Sequence, residues 1–432
     1  MRPILYIAIM KKVAIVYLVI FFFFISLCFG QSQSVAILRG VILNSSTGEA
    51  VSYATISLPV NGINTMSNDE GRFILKIPTD IKEDSFYVSH IGYTPAGMAI
   101  RQSDTGFRTI RLQKSFYQLP DVVVNPINAL DLIKKAIAKI PDNYPTTPFI
   151  MNGFYRMTGM NEKKIIDISE AVFEVYSEDF ERKNKQFKLK KSRIDKDDSA
   201  TAFSENNYLF LGENPNTVLH EDIVSEVYER NLLNEKRLEL YDFTFNGIVD
   251  YNGREAYDIG FDQKDGVEES NRKGKLYLEV NSLAFLEFDY GLSPKGLKYW
   301  KLASEQRKAF DLMGVNANVL GNKVTVTYIK YGNKYYINHV QRTTQWHITG
   351  GKNFLNYKPL IVKVDYLFTK IDTIGIKAFR KSEVLSNTES IEYRVKNKVD
   401  DNFWESYNLI QADFNVDSVA AIIRNKNKVL KN

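Results

Sequence analysis

Thiols are almost absent. Of 432 residues only Cys28 is a cysteine, and it lies in the apolar stretch near the N-terminus. A chain cut after Gly30 would carry neither a disulfide nor a cysteine-ligated metal. Histidine is nearly as scarce: His90, His220, His339 and His347 are followed three positions on by Tyr93, Ile223, Arg342 and Gly350. No His-x-x-Glu or His-Glu-x-x-His therefore exists to hold a catalytic zinc. Gly-x-Ser-x-Gly is missing too, since Gly291-Leu292-Ser293-Pro294-Lys295-Gly296 is one residue too long for a nucleophile elbow. No glycine-rich loop ends in Lys-Ser or Lys-Thr to cradle a phosphate. An excess of either charge is lacking as well, with 56 Lys and Arg against 51 Asp and Glu for a net +5. Setting aside Arg2, Lys11 and Lys12 brings the balance to +2, too even for a polyanion-binding surface, which argues against nucleic acid as a partner.

What is present begins with an export signal. Arg2, Lys11 and Lys12 precede an apolar run from Val13 to Ile25, and Ser26 to Gly30 leads into the polar Gln31-Ser32-Gln33-Ser34. A basic start, a short apolar core and small residues before a cut after Gly30 predict a secretory signal over residues 1–30, with Met10 as an internal start that makes it more compact. Two other readings stay open. Val13 to Phe29 is only slightly short of the ~20 residues a spanning helix needs, so the run also suits an uncleaved anchor. Acylation at Cys28 fits less well, because Leu27 stands where a small residue is required.

Tyr, Phe, Val, Ile and Thr are plentiful and long helical periodicity is rare, which predicts mainly β structure. Strands are expected at Val35 to Leu43, Ala54 to Leu58, Arg72 to Ile77, Ser85 to His90 and Arg108 to Leu112. Turns fall at Asn44 to Gly48, Asn61-Gly62 and Asn68 to Gly71. Phe73, Leu75 and Ile77 share one face of their strand. Short strands at this spacing predict a small sandwich.

Gly40-Val41-Ile42, Thr47-Gly48, Ala54-x-Ile56, Thr65-x-x-Asn68-x-x-Gly71-x-Phe73 and Ser89-His90-Ile91-Gly92-Tyr93 occur in the order that resembles the carboxypeptidase regulatory-like domain. The resemblance implies a transthyretin-like β-sandwich, of the kind that extends Bacteroidetes outer-membrane receptors and related exported proteins. Leu119 to Val124 is similar to the strand leading from that domain toward a receptor plug. The family name implies a shape and not a peptidase, because the zinc ligand set is missing.

Farther along, Asn128 to Ile140 predicts one short amphipathic helix, with Leu130, Ile133, Ile137 and Ile140 on its apolar stripe, Asn128 as N-cap and Pro141 as stop. It suits packing on a sheet; a membrane-surface helix is the competing reading. Strands follow at Phe154-Tyr155-Arg156 and across the ambiguous Ile168 to Tyr176. Arg182 to Lys196 reads as a lysine-rich edge strand, either a guard against strand pairing or a cationic face for anionic lipid or glycan. Hairpins are expected around Asn252-Gly253, Asn281-Ser282 and Gly332-Asn333-Lys334. Asp195-Lys196-Asp197-Asp198 lacks the glycine and glutamate of a calcium loop and reads as solvated. His339 and His347 read as ordinary polar strand residues on one face.

This second region resembles an uncharacterised region found behind the same domain in other exported Bacteroidetes proteins, through Ala129 to Ile140, Tyr144-Pro145, Phe154-Tyr155-Arg156, Tyr251-x-Gly253-x-x-x-Tyr257 and Gly274-Lys275-Leu276-Tyr277-Leu278. Its hairpins also look distantly like the curved half-barrel of periplasmic lipoprotein carriers. The expected architecture is a signal (1–30), a sandwich (31–119), a linker (120–127) and a large curved antiparallel sheet with a short packing helix (128–432). The expected function is a non-enzymatic binding or scaffold role in the periplasm or at the outer membrane, with no catalytic, cofactor or metal residue assigned. Candidate partners are an outer-membrane protein, such as a transporter, or an apolar or lipid-like ligand. The alternative is an envelope hydrolase acting on glycans through carboxylates that converge only in the fold.

Overall fold

The computed structural model describes residues 35–79, 81, 85–100, 106–115, 127–162, 164–181, 183, 185–197, 219–225, 232–302, 304–350, 357–386, 391, 404 and 407–431. The expected signal, Cys28, residues 120–126 of the linker, the plug-leading strand at Leu119 to Val124 and Asp198 lie outside the described residues.

The first region is a two-layer sandwich. Its strands are β1 (Val35–Asn44), β2 (Thr55–Leu58), β3 (Ile63–Met66), β4 (Arg72–Pro78), β5 (Ser85–Ser89), β6 (Ala96–Ala99) and β7 (Phe107–Leu112). One sheet runs β4-β1-β7, with β1 and β7 parallel, and the other runs β3-β2-β5-β6. Leu38, Ile42, Ile56, Phe73, Leu75, Phe86, Val88 and Ile110 fill the space between them. Phe73, Leu75 and Ile77 are buried together, as their alternation requires. Gly40 permits the β1–β7 approach, because a Cβ there would meet the Arg108 carbonyl at 2.3 Å. Strand β6 had no sequence signal, since Ala96-Gly97-Met98-Ala99 holds no β-branched residue.

The second region is an antiparallel half-barrel. Its strands are β8 (Phe149–Asn161), β9 (Lys164–Ser177), β10 (Lys185–Lys196), β11 (Tyr241–Tyr251), β12 (Arg254–Gln263), β13 (Arg272–Glu279), β14 (Phe285–Leu292), β15 (Val315–Tyr331), β16 (Lys334–Gly350) and β17 (Tyr357–Asp372). They hydrogen-bond in the order β11-β12-β13-β14-β15-β16-β17-β8-β9-β10. The hairpin expected at Asn252-Gly253 is there, with φ values of 55° and 76° that suit a primed turn.

Five helices accompany the sheets among the described residues: α1 (Ala129–Ala138), α2 (Ile140–Asn143), α3 (Glu235–Leu238), α4 (Ser304–Met313) and α5 (Val416–Lys431). Asn128 caps α1 by accepting from the Leu130 and Asp131 amides. Pro141 does not act as the expected stop. Helix α1 closes at Lys139, and Pro141 enters the first turn of α2, where a missing N–H costs nothing. Ala129, Ile133, Ala136 and Ile140 pack into the half-barrel core, so the apolar stripe of α1 is spent on the sheet. Among the described residues no helix is long and apolar enough to cross a membrane.

The half-barrel has two differently covered faces. On the inner face Phe288, Val324, Val326 and Val340 are buried beneath α1, α2, residues 219–225 and Phe310 of α4. The sandwich rests against the outer face. Strand β3 joins β17 through the single pairing of Ile63 with Lys370, so both regions belong to one 14-stranded sheet. A C-terminal strap completes the docking. Asn408 bonds to both backbone groups of Lys76 on the free edge of β4, at 2.7 and 3.0 Å, and Thr65 donates to the Leu409 carbonyl at 3.2 Å.

Candidate functional site

A cleft of about 730 Å³ opens between the sandwich and the outer face, within the usual size of ligand pockets. Strand alternation decides its lining. Glu287 and Asp289 on β14, Lys323, Thr325 and Thr327 on β15, and His339 and Gln341 on β16 point away from the inner core and into the cleft. Thr55 and Ser57 of β2, Tyr87 and Ser89 of β5, and the following His90 and Ile91 form the opposite wall. Tyr251, Asn252 and Arg254 close one end. That end is pinned to the sandwich, since the Gly92 amide donates to the Asp250 carbonyl at 3.2 Å and the Ser115 hydroxyl to the Asp250 carboxylate at 2.9 Å.

Tyr53 marks the other end. It holds φ at 56°, rare for a bulky residue and costing about 1–3 kcal/mol where the surroundings enforce it. Its ring stacks on His339 at 5.6 Å, and its hydroxyl accepts from Lys363 at 2.7 Å. Behind that stack, Asp365 contacts His339 Nε2 at 3.3 Å and accepts from Gln341 at 3.2 Å. Burial alone would raise the Asp365 carboxyl; the His339 contact and the Lys363 charge outweigh it and hold it below the ordinary range. Lys363 also binds Asp69 at 2.8 Å, with Asp413 of the strap at 3.9 Å. Burial, followed by the Asp69 charge, pushes Asp413 up to about 6.

Near Tyr251 the cleft holds a second acid pair. Glu287 accepts from the Tyr251 hydroxyl at 2.9 Å, yet burial, reinforced by Asp289, pushes its carboxyl up to about 7. Asp289 accepts from Thr325 at 3.3 Å and lies 3.6 Å from Lys323. Both acids rise from one strand, so they stand side by side on one wall. A glycosidic bond would need its two carboxyls on opposite sides.

Among the described residues the inner-face side chains are buried against the chain's own segments. Residues 219–225 are keyed into that face by buried acids. Glu221 lies 3.3 Å from Arg342 and 3.8 Å from Arg272 and accepts from Tyr290 at 2.8 Å. Asp222 accepts from Lys185 at 3.2 Å and from Tyr328 at 2.6 Å.

Several expectations change on contact with this geometry. The cleft draws on both regions, because residues 52–95 of the sandwich supply one wall. His339 and His347, expected as ordinary polar strand residues, differ in setting: His339 is buried against Asp365, whereas His347 is exposed at the register shift between Trp346 and Ile348. Asp195 and Asp197 are buried ion-pair partners of α5, not a solvated loop, at 2.6 Å from Arg424 and 2.7 Å from Lys426. The basic strand β10 is largely neutralised. Lys188 reaches Glu383 at 2.9 Å, Lys190 reaches Glu174 at 3.1 Å and Arg193 reaches Glu170 at 2.5 Å, which leaves little cationic face for an anionic partner. Among the described residues no group of three or more His, Cys, Asp or Glu is placed to hold a metal ion.

Residues 38–124 match the family described as CarboxypepD_reg-like domain, so the sandwich is a domain of that kind. No curated protein matches the chain. Among solved structures the chain is similar to a putative outer membrane lipoprotein-sorting protein domain from Vibrio parahaemolyticus, at 9% identity and a TM-score of 0.23 over 58% of this chain and 94% of that one. It is also similar to a LolA superfamily protein from Nitrosomonas europaea, at 10% identity and a TM-score of 0.26 over 61% of this chain and 99% of that one.

Proposed function

We propose that the protein is a non-enzymatic binding protein of the cell envelope, exported by its N-terminal segment, that holds an amphiphilic, lipid-like ligand in the cleft between sandwich and half-barrel. The carrying observation is the mixed lining of that cleft. Met66, Ile91, Leu286 and Ile329 give it apolar surface, while Thr55, Ser57, Thr325, Thr327 and Gln341 give it a hydroxyl and amide floor. Apolar walls with a few convergent polar groups are what small-molecule sites generally offer.

Displacement of 1-anilinonaphthalene-8-sulfonate by lysophosphatidylcholine below its micelle threshold tests the reading. The chain without residues 1–30 is expected to bind, and Thr327→Trp, which fills the cleft from its centre, is expected to weaken binding at least tenfold with an unchanged circular dichroism spectrum. Binding that ignores Thr327→Trp defeats the reading.

A further inference from the structure

We infer that the floor of the cleft is a subsite for a neutral sugar head group, centred on Asn338. The inference rests on the reading of the cleft as an amphiphile site and names the chemistry of the ligand's polar end. Asn338 owes its position to a bulge. The β15–β16 register shifts between Thr327 and Tyr328, which leaves Asn338 as the extra residue on β16 and re-aims its side chain. The residue is 2% exposed and lines the cleft. Its Nδ2 lies 3.4 Å from the Thr55 hydroxyl of the sandwich and 3.4 Å from the Thr327 hydroxyl of the half-barrel. Its Oδ1 is buried with no partner.

Buried polar atoms are nearly always paired, so an unpaired one on a residue that lines a cleft marks a place where a ligand atom could complete the pairing as the shielding side chains give. Turning the amide over exchanges which end is left without a partner but does not satisfy it. A hydroxyl suits both orientations, because it donates and accepts. At the far end of the same cleft Asn252 Oδ1 is likewise shielded and unpaired. Several hydroxyls on one ring would meet Asn338, Thr327, Thr55 and Gln341 together, with the Tyr53–His339 stack as an aromatic surface at its edge.

Charge favours a neutral head over phosphate or ammonium. Lys363 is held by Asp69 and Tyr53, Lys323 lies near Asp289, Arg254 donates to Tyr335 at 2.9 Å and Lys330 lies over the Tyr335 ring at 5.6 Å, so each of these cations already has a partner. The acids that line the cleft are engaged as well: Asp69 by Lys363, Glu287 by the Tyr251 hydroxyl and Asp289 by the Thr325 hydroxyl.

Calorimetric titration of the protein with octyl glycosides of glucose, galactose and N-acetylglucosamine, with octylphosphocholine, and with the free sugars tests this. At least one octyl glycoside is expected to bind tenfold tighter than octylphosphocholine. Asn338→Leu is expected to remove that margin while leaving octylphosphocholine unchanged, and Thr327→Val, which deletes one hydroxyl at constant shape, to halve or better the affinity for the glycoside alone. Thr327→Val keeps the test decisive where Asn338→Leu fails to fold. Equal binding of glycoside and phosphocholine, or variants that weaken both alike, overturns the subsite while the amphiphile reading stands. Free sugars that bind and respond to Asn338, with no octyl compound bound more tightly, retain the subsite and overturn the amphiphile reading. Absence of all binding overturns both.

Discussion

Single residues carry most of the electrostatic cost in this molecule. Burial pushes the Glu287 carboxyl up to about 7 in the folded chain, above the 4.5 of a free glutamate that stands for the unfolded one. The folded state therefore binds more protons between those values, and the stability tied to this group is fully present below pH 4.5 and lost as the pH rises through 7. Because the side chain is partly exposed, the loss is about 2 kcal/mol, below the full shift converted at ~1.4 kcal/mol per unit. Urea denaturation at pH 5 and pH 8 should show Glu287→Gln gaining about that much on the parent at the higher pH only; an equal difference at both values refutes it. Glu170 poses the opposite case. It is 1% exposed between the Arg156 and Arg193 Nε atoms at 2.6 and 2.5 Å. Glu170→Ala would leave two guanidinium groups with a buried carboxylate removed, and denaturation should show a loss of roughly 3–5 kcal/mol. Neither role was legible beforehand. Arg156 and Arg193 stand 14 and 23 positions from Glu170 on the two flanking strands, and only the strand register brings the three together.

Elements were legible where alternation and turn chemistry agreed. Asn252-Gly253 announced its hairpin because few other residues accept positive φ in succession. A side chain at Gly253 would be strained in φ and would meet Pro95 at 3.3 Å, so Gly253→Val should cost about 1–2 kcal/mol, read from the thermal midpoint. No change in midpoint would mean the hairpin tolerates a type other than the one seen. Helix α5 was not expected, although Val416, Val419, Ala420 and Ile423 recur at helical spacing and Ala420 and Ile423 are buried. It is held by Arg424 and Lys426 on Asp195 and Asp197, and acids flanked by a lysine look like solvent-facing loop from sequence alone. Strand β17 was missed in the same pass, although Leu360, Val362, Val364, Tyr366 and Phe368 alternate cleanly and are all buried.

At the scale of the whole chain, the sandwich and the half-barrel are joined by side-chain ties more than by shared strands. Lys363 to Tyr53 and Asp69, Asn408 to Lys76, and Ser115 to Asp250 each cross the boundary. Calorimetry of the intact chain should give one cooperative transition, and removal of residues 404–432 should split it into two, with the sandwich melting separately. A truncated chain that still melts in one step would show that the cleft walls hold together without the strap. The cleft was illegible in the sequence for this reason: it belongs to neither region, and its two halves lie on segments that no motif links. The lone rung between Ile63 and Lys370 has a mechanical meaning. That rung shares the boundary with the Gly92 and Ser115 bonds to Asp250, the Lys363 bonds to Tyr53 and Asp69, and the Asn408 clamp on Lys76, so it is one stitch among several. The boundary is therefore a seam laced at both ends of the cleft, and its two walls part only when the stitches at both ends give way.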